Sequence, residues 1–444
     1  MTVAQNATHL VRARPGGTME IDERVAELDR EPVGHRFKGM PWDAAGLTVG
    51  ELTAQRRDLF GGGFGTPVLV LSEEALDHNL ELLERFTADH GLSFAPHGKT
   101  SMAPQLFARQ LAHGAWGITV AVPHQIRVCR EFGVRRIFLA NELVDAAALR
   151  WIGEQLDGDP SFELTTYVDS VRGVELMDAA LRAAGVRRPL DVVVELGGGE
   201  GARTGVRTEK EGTAVAEAVA AAGTLRLVGV AGYEGEVPAA SPETVRAWLR
   251  RLVALASGLD AAGLLADAEE IVVSAGGSAW FDAVAEELAD LPEFSRPVRK
   301  LLRSGAYVTH DEDHYSKVTP FNRIPDEGAL EPAFRLWTQV VSRPEPEQAF
   351  LNAGKRDAPY DLGLPQVAVI RSARTGELRA PAHGVRVARL SDQHTWLTLP
   401  HDEPLEVGDW VGLAVSHPCT TFDKWQLIPA TRGTEVTAYI RTFF

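Results

Sequence analysis

Cysteine is nearly absent from this 444-residue sequence, which contains only Cys129 and Cys419. Two cysteines so far apart do not make the disulfide framework of a small secreted protein, and such scarcity is typical of a reducing cytoplasm. Long hydrophobic runs are lacking too. No stretch approaches the length that crosses a membrane, and the first residues contain no apolar segment of the signal-peptide kind. We therefore expect a cytoplasmic protein.

Basic residues are in the minority among the charged side chains. The 45 lysines and arginines stand against 61 aspartates and glutamates, which gives a formal net charge of −16 at pH 7. Because nucleic acids and anionic membranes are bound by clustered lysine and arginine, this balance argues against both kinds of partner. A hydrophobic fraction of 45% and a charged fraction of 24% are those of a globular protein. Small polar molecules remain as ligands.

The sequence is rich in short β-branched runs that alternate with amphipathic helical patterns. About eight such units occur, beginning with LSFAP at residue 92, and eight is the number that closes a (β/α)8 barrel. An open doubly wound sheet is the alternative. Beyond residue 312 short β segments punctuated by proline and glycine indicate a separate β domain. The predicted organisation is an arm over residues 1–60, a barrel over 61–312 and a β domain over 313–444.

Polar residues stand where several of the predicted barrel strands end, which is where the catalytic residues of such barrels lie. Lys99 follows the first strand, Arg203 follows the fifth, and Tyr233 closes the sixth. Tyr307 falls in RSGAY at the eighth. A structural role in the barrel is the alternative for Arg203 and for both tyrosines.

A glycine-rich segment after the seventh predicted strand is a candidate phosphate site. Gly276, Gly277 and Ser278 are expected to expose backbone N–H groups at a helix start, where the helix dipole favours an anion, although such triplets are often turns. A lysine at one strand end and a phosphate site at another suggest pyridoxal phosphate, whose aldehyde forms a Schiff base with lysine. The alternative for Lys99 is a solvated loop residue.

The segment PHGKTSMAPQLFARQLAHGAWGITVA resembles the Pro-His-x-Lys-Thr segment of the fold-type III pyridoxal phosphate enzymes, which include D-serine dehydratase and D-threonine aldolase. TPVLVLSEEALDHNL, RTGV, GYEG, GGS and SGAYV occur in the order of that family, so the resemblance covers most of residues 66–430. It implies an alanine racemase-like barrel in which Lys99 forms the Schiff base. It further implies Arg203 near the cofactor phenolate, with Tyr233 and Tyr307 as contacts of the ring and phosphate.

A second motif, AVSHPCTTFDKW, lies in the predicted β domain. His417 and Cys419 stand two residues apart, which on an extended backbone directs both side chains the same way, and imidazole and thiolate are good zinc ligands. A chance histidine near a buried cysteine is the alternative. The stretch resembles the His-x-Cys zinc motif of D-serine dehydratases, whereas D-threonine aldolases have His-x-Asp there. The resemblance implies an open, catalytic zinc site, with His394 in SDQHTW as a supporting or structural residue.

These parts together predict β-elimination from a D-3-hydroxy amino acid such as D-serine. Lys99 would take the Cα proton, the cofactor would accept the charge, and zinc would assist departure of the hydroxyl, which yields a 2-oxo acid and ammonia. A metal-dependent D-threonine-type aldolase is the main alternative. A racemase would need a second base that no segment marks, and a non-enzymatic pyridoxal phosphate carrier would need the barrel alone. The resemblance also implies a homodimer.

Overall fold

The computed structural model describes residues 21–444, which contain two β-sheets of different kinds. Strand β1 (Val68–Ser72) precedes the strands of the first sheet, which are β2 (Ser93–Phe94), β3 (Ile118–Val120), β4 (Arg136–Glu142), β5 (Glu163–Val168), β6 (Leu190–Leu196), β7 (Leu225–Gly232), β8 (Ile271–Ala275) and β9 (Val298–Leu302). These eight pair in parallel in the order β2-β9-β8-β7-β6-β5-β4-β3. A parallel bridge between His97 and Thr119 joins the two ends of the sheet. The predicted (β/α)8 barrel is confirmed.

Helices surround this barrel and flank it in sequence. They are α1 (Ile21–Ala26), α2 (Val49–Ala54), α3 (Glu73–Asp89), α4 (Pro104–Ala112), α5 (Pro123–Glu131), α6 (Ala146–Gly158), α7 (Val171–Ala183), α8 (Glu209–Ala221), α9 (Pro242–Ala261), α10 (Phe281–Glu287), α11 (His314–Val318) and α12 (Cys419–Phe422). The helix starts follow local sequence. The Thr208 hydroxyl accepts the N–H of Glu211 while the Glu211 carboxylate accepts the N–H of Thr208, a capping box that begins α8. No helix among residues 21–444 is long and apolar enough to cross a membrane.

The second sheet forms the predicted β domain and has mostly antiparallel neighbours. Its strands after the barrel are β10 (Phe334–Glu345), β11 (Gln348–Leu351), β12 (Gln366–Arg371), β13 (Leu378–Arg379), β14 (Arg386–Leu390), β15 (Thr395–Thr398), β16 (Trp410–Ala414), β17 (Leu427–Arg432) and β18 (Glu435–Arg441). The main path is β13-β12-β16-β10-β1-β17-β18, while β11, β14 and β15 pair off it.

Strand β1 lies in the middle of this second sheet, although it precedes the barrel in sequence. It pairs antiparallel with β10 and parallel with β17. The sheets therefore divide the chain differently from a boundary at residue 61. Four of the five residues of β1 are buried, and a run that is apolar on both faces fits a central strand of either sheet. The sequence pattern alone could not assign it.

The segment before β1 covers the outer face of the second sheet. Val33, Phe37 and Leu52 belong to a compact apolar cluster that includes Trp337 and Tyr439 of the sheet. This cluster gives the described part of the predicted arm a packing role. Residues 1–20 lie outside the described residues.

Candidate functional site

Lys99 lies in a single helical turn, residues 98–100, just beyond the end of β2. The turn is fixed by close packing, since a Cβ on Gly98 would lie 2.7 Å from Cγ2 of Ile118. The Lys99 side chain is accessible to solvent although protein atoms surround most of it. A side chain that lines a cleft is likewise surrounded by protein atoms and still reached by solvent. The predicted lysine therefore occupies a cleft at the carboxyl ends of the barrel strands.

The surroundings of Lys99 favour its neutral amine. Burial first, and then the nearby guanidinium groups of Arg203 and Arg303, lower the pKa of Lys99, while the charge of Cys419 opposes the shift. Removing an ammonium from water and placing it near like charges both penalise the protonated form. A neutral amine is the form that attacks an aldehyde or accepts a proton. This is the chemistry that a cofactor-binding lysine requires.

Cys419 of the second domain lies beside Lys99 of the same chain. Its Sγ is 3.4 Å from the hydroxyl of Thr100, within hydrogen-bonding distance for sulfur. Burial alone would raise the pKa of the Cys419 thiol, but contacts with His417 and Thr100 and the charge of Lys99 lower it. The predicted lysine and the predicted metal motif therefore meet in one cleft, and the thiol there is biased toward the thiolate that binds metals.

His417 is oriented by a carboxylate that the sequence motif did not include. Its Nδ1 lies 2.6 Å from Oδ2 of Asp361, and Oδ1 of Asp361 accepts a hydrogen bond from the Thr420 hydroxyl at 2.8 Å. Burial alone would lower the pKa of His417, but its contacts with Cys419 and Asp361 raise that pKa to about 8. Because Nδ1 is occupied, Nε2 is the ring nitrogen left for a metal.

The backbone of the His-x-Cys pair is not extended, contrary to the geometry considered from sequence. Pro418 has φ −54° and ψ −43°, and helix α12 begins at Cys419. Proline has a fixed φ suited to a helix start, so it turns the chain between the two residues. His417 and Cys419 nevertheless interact with each other, as their linked pKa shifts indicate. They meet across a helix start, which strand periodicity does not describe.

Arg203 and Tyr233 stand together at the mouth of the barrel. The Arg203 guanidinium lies 6.0 Å from the centre of the Tyr233 ring, and its Nε is 2.9 Å from Oε1 of Glu236. Burial and the charge of Glu234 raise the pKa of Tyr233 to about 12, so the phenol stays protonated at neutral pH. Arg203 is largely exposed and lies close enough to influence Lys99. Arg203 and Tyr233 thus lie near one another, with Arg203 also near Lys99, and their part in the site stays a prediction.

The glycine-rich segment does not present all of its N–H groups freely. The N–H of Gly276 donates to Oε2 of Glu234 at 3.0 Å, and the N–H of Gly277 donates to Oε1 at 2.5 Å. Glu234 is fully buried, so this carboxylate already occupies the place expected for an anion. Helix α10 begins only at Phe281. The expected pair of free glycine amides is therefore absent, and the reason is a buried acid that spacing could not reveal.

Ser278 is better placed than the two glycines to meet an external anion. Its hydroxyl accepts a hydrogen bond from the N–H of Ala306 at 3.3 Å, a long contact between the loops after β8 and β9. A Cβ on Gly277 would lie 2.5 Å from the Tyr233 ring. Glycine at this position therefore lets that ring approach the loop after β8.

Tyr307 belongs to the protein core. The side chain is 2% exposed, its hydroxyl accepts a hydrogen bond from Nε2 of Gln110 at 3.2 Å, and its ring packs edge-on against Phe94. These contacts fit the structural alternative stated for this tyrosine. His394 lies exposed in the turn between β14 and β15, beside Phe350 and Trp396.

Two further residues of the cleft were missed by sequence reasoning. Arg303, 6% exposed, donates to the Ser274 hydroxyl at 2.8 Å and lowers the pKa of Lys99. No clear signal was present in the sequence, because Arg303 follows a strand, β9, that already contains Arg299 and Lys300. The Tyr315 ring lies 6.5 Å from that of His417, and burial followed by the charge of Cys419 raises its pKa. No motif marked Tyr315.

Two family models match the chain. "Alanine racemase, N-terminal domain" matches residues 71–312, and "Putative serine dehydratase domain" matches residues 333–431. Among characterised relatives, D-threonine aldolase of an Arthrobacter species is 25% identical over 364 residues, which cover 81% of this chain and 86% of the relative. The 3-hydroxy-D-aspartate aldolase of Paracoccus denitrificans (strain Pd 1222) is 26% identical over 370 residues, covering 81% and 87%.

Solved structures show the same fold. D-threonine aldolase from Filomicrobium marinum superposes with a TM-score of 0.70 at 24% identity, covering 86% of this chain and 95% of that chain. D-threo-3-hydroxyaspartate dehydratase from Delftia sp. HT23 superposes with a TM-score of 0.66 at 20% identity, covering 85% and 97%. Two solved variants of a D-threo-3-hydroxyaspartate dehydratase replace a histidine and a cysteine that stand two positions apart, and the cysteine variant is in a metal-free form.

Proposed function

The chain belongs to the alanine racemase N-terminal domain family within the fold-type III pyridoxal phosphate enzymes, and on this basis we propose that it is a lyase for D-3-hydroxy amino acids. The proposed reaction is metal-assisted β-elimination, which gives a 2-oxo acid and ammonia. The observation that carries the proposal is the 3.4 Å contact between Thr100 and Cys419. It joins the lysine segment to the His-x-Cys pair within one chain.

The residues of the cleft fit pyridoxal phosphate. Lys99 supplies an amine whose pKa is lowered, which favours reaction with an aldehyde. Arg203 and Tyr233 line the same cleft and are proposed to contact the ring. The hydroxyl of Ser278 and the N–H of Ala306 are proposed to meet the phosphate, because the glycine amides are taken by Glu234. When bound, the cofactor supplies an electron sink for a carbanion at Cα.

The donor set at His417 and Cys419 fits a zinc-like metal. Cys419 has a lowered pKa and His417 has one ring nitrogen fixed by Asp361, so a thiolate and an imidazole nitrogen are both available. Two protein ligands leave positions open to substrate. At an open site a metal supplies Lewis acidity toward the β-hydroxyl. The D-threo-3-hydroxyaspartate dehydratase variants support this assignment, since they replace a histidine and a cysteine with the same spacing.

Each residue of the site has a separate proposed role. Lys99 accepts the proton from Cα of the substrate, because its amine is neutral more readily than an exposed lysine. The Arg303 guanidinium lies buried close enough to Lys99 to lower its pKa, and Ser274 and the Gly232 carbonyl hold it in place. His417 and Cys419 would hold the metal, which would supply Lewis acidity toward the β-hydroxyl. A homodimer stays a prediction, while the Cys419 Sγ lies 3.4 Å from the hydroxyl of Thr100, next to Lys99, in the same chain.

An aldolase is the second candidate, because two relatives are a D-threonine aldolase and a 3-hydroxy-D-aspartate aldolase. It would use the same lysine and metal but break the Cα–Cβ bond. The cysteine in the His-x-Cys pair favours elimination, by its resemblance to the dehydratase motif. The two reactions release different products, so they are separable by experiment.

The test is product analysis of the purified protein with D-serine, D-threonine and 3-hydroxy-D-aspartate. Elimination gives pyruvate, 2-oxobutyrate or oxaloacetate with ammonia, whereas aldol cleavage gives glycine and an aldehyde. We expect ammonia and a 2-oxo acid from at least one substrate. Glycine without ammonia would establish the aldolase instead. Lys99→Ala is the matched control, since it should lose the visible absorption of the bound cofactor together with all turnover.

A further inference from the structure

Three carboxylates gather at the carboxyl ends of adjacent barrel strands, apart from the His-x-Cys pair. Glu142 ends β4, Asp169 follows β5 and Glu195 lies near the end of β6. One oxygen from each lies within 4.8 Å of the others. In the part of the chain that the structure describes, no other three histidine, cysteine, aspartate or glutamate side chains come this close.

The side chains of this acidic trio face the interior of the barrel. Glu142 is paired with Tyr167 across β4 and β5, and Tyr167 is paired with Val193 across β5 and β6. Partners in register point to the same face of a sheet, and residues two apart on one strand do so as well. The guanidinium of Arg303 lies 5.8 Å from the centre of the Tyr167 ring, which identifies this face as the inner one.

Several buried polar atoms at this place have no partner. Both carboxylate oxygens of Glu142, Oε2 of Glu195 and the hydroxyl of Tyr167 are buried without a hydrogen bond. Tyr167 is 2% exposed and is not part of the acidic trio, yet burial and the charges of Glu195 and Glu142 both act to raise its pKa. Buried polar groups are normally satisfied, so three unpaired carboxylate oxygens and the unpaired hydroxyl of a neighbouring tyrosine indicate a missing ligand.

Arg303 is the nearby guanidinium, and its charge acts to lower the pKa of Glu195. Its hydrogen bonds go to the Ser274 hydroxyl and to the carbonyl of Gly232, so it leaves the unpaired oxygens of the acidic trio without a donor. A single shared proton would join Glu142 to Glu195, but it would leave further carboxylate oxygens and the Tyr167 hydroxyl without partners.

We propose that Glu142, Asp169 and Glu195 bind a hard divalent cation such as Ca²⁺, Mg²⁺ or Mn²⁺. These ions prefer carboxylate oxygens, at about 2.0 to 2.6 Å, so opposite ligands stand about 4 to 5 Å apart, in agreement with the observed spread. Soft zinc prefers the thiolate of Cys419. The two sites therefore select different metals, and the cleft holds a second metal centre of a different chemical class.

The cation would act on the loop that carries Arg203. Asp169 accepts the N–H of Gly205 at 3.2 Å, and Thr204 lies close enough to Glu195 to lower the pKa of that carboxyl. Both contacts lie within two residues of Arg203. A bound ion that fixes these carboxylates would therefore fix the position of the guanidinium at the cleft mouth. Its proposed role is positioning, because two of its ligands contact or neighbour the loop that carries Arg203.

The experiment measures metal stoichiometry in the full-length protein with its cofactor bound and without substrate. Protein stripped with chelator receives one equivalent of Zn²⁺ and is then titrated with Ca²⁺ by calorimetry and with Mn²⁺ by electron paramagnetic resonance. We expect one additional equivalent of either ion. Glu195→Gln should weaken that binding by at least about tenfold, because ligand charge sets the affinity. Glu200→Gln, an exposed acid in the same loop, is the matched control and should bind normally.

Infrared spectroscopy tests the same proposal on the wild-type protein, so it does not depend on whether a variant folds. In wild-type protein without the second ion, the stretch of a protonated carboxylic acid should appear at neutral pH and disappear when Ca²⁺ is added. Binding that stops at the zinc equivalent, or extra binding that survives Glu195→Gln, would overturn the proposal. Neither readout requires turnover, so failure of this inference and failure of the lyase assignment are distinguishable.

Discussion

Oδ2 of Asp361 lies 2.6 Å from Nδ1 of His417, and this contact leaves Nε2 as the nitrogen for a metal. Asp361→Asn keeps the shape but removes the charge that orients the ring and makes it more basic. Second-sphere partners of this kind contribute about 10- to 100-fold in metal affinity. We expect a zinc affinity lower by that factor, measured by competition with a chromophoric chelator.

The same substitution at an exposed acid of the second domain provides the comparison for Asp361. Asp402→Asn removes one negative charge without touching His417. It should leave the zinc affinity unchanged. Equal losses in both variants would mean that net charge is responsible and that the contact with His417 is not.

Removal of the metal should abolish turnover of a substrate with a poor leaving group but spare turnover of a substrate with a good one. In chelated protein, D-serine turnover should be lost, because hydroxide leaves poorly without a Lewis acid. β-Chloro-D-alanine should still be consumed, since chloride leaves unaided, and the visible absorption of the cofactor should change little. Ammonia release from the two substrates provides the measurement. Full D-serine activity after verified metal removal would contradict the role given to His417 and Cys419.

Gly277 should tolerate no side chain. In Gly277→Ala the new Cβ would lie 2.5 Å from the Tyr233 ring and 3.2 Å from Oε1 of Glu234, so the ring must move. We expect cofactor affinity to fall by about tenfold, equivalent to about 1.4 kcal/mol. The absorbance titration of cofactor-free protein measures it.

Gly258 offers the matched comparison for Gly277. It lies exposed in α9, and no atom lies within 4 Å of the place that an added methyl carbon would take. Gly258→Ala should leave cofactor affinity unchanged and raise stability by about 0.5 to 1 kcal/mol, because alanine is the better helix former. A similar loss of cofactor binding in both variants would refute the steric argument.

Burial of His310 should make the protein less stable in mild acid. Burial lowers the pKa of His310 from 6.5 to about 4, so between these values the unfolded chain binds a proton that the native state does not. The contribution of His310 to stability therefore falls as pH falls through this window, by roughly 2 kcal/mol between pH 7 and pH 5. Denaturant unfolding of the wild-type protein and of a His310 variant at the two pH values measures this contribution.

His310→Asn should reduce that pH difference. His310 has φ 46°, a left-handed conformation that asparagine adopts readily, so the substitution suits the backbone. Asp311, whose pKa burial raises to about 6, contributes with the opposite sign, but it is present in both proteins and largely cancels in the comparison. His401→Asn replaces an exposed histidine and should leave the pH difference intact. If the difference in unfolding free energy between pH 7 and pH 5 were the same in His310→Asn as in the wild-type protein, groups other than His310 would be its cause.

Local sequence was sufficient for the parts of the molecule that periodicity and short motifs describe. The barrel strands and Lys99 followed from alternating patterns and from one specific segment. The position of β1 did not, because its pairing partners are β10 and β17, far away in sequence. Asp361 and Glu234 were missed for the same physical reason. Each acts through a contact with a distant segment, and nothing in its neighbouring residues distinguishes it from a surface acid.

The central place of β1 makes the barrel an insertion within the second domain. In sequence, β1 of that domain comes first, the barrel strands β2 to β9 follow, and β10 and β17 come later. In the sheet, β10 and β17 lie on either side of β1. A cut at residue 312 would expose both edges of β1, with their unpaired backbone groups, to solvent and to other chains. The barrel is thus held at its entry and its exit by one sheet. Lys99 and the His-x-Cys pair therefore cannot be separated by dividing the gene at the apparent domain boundary.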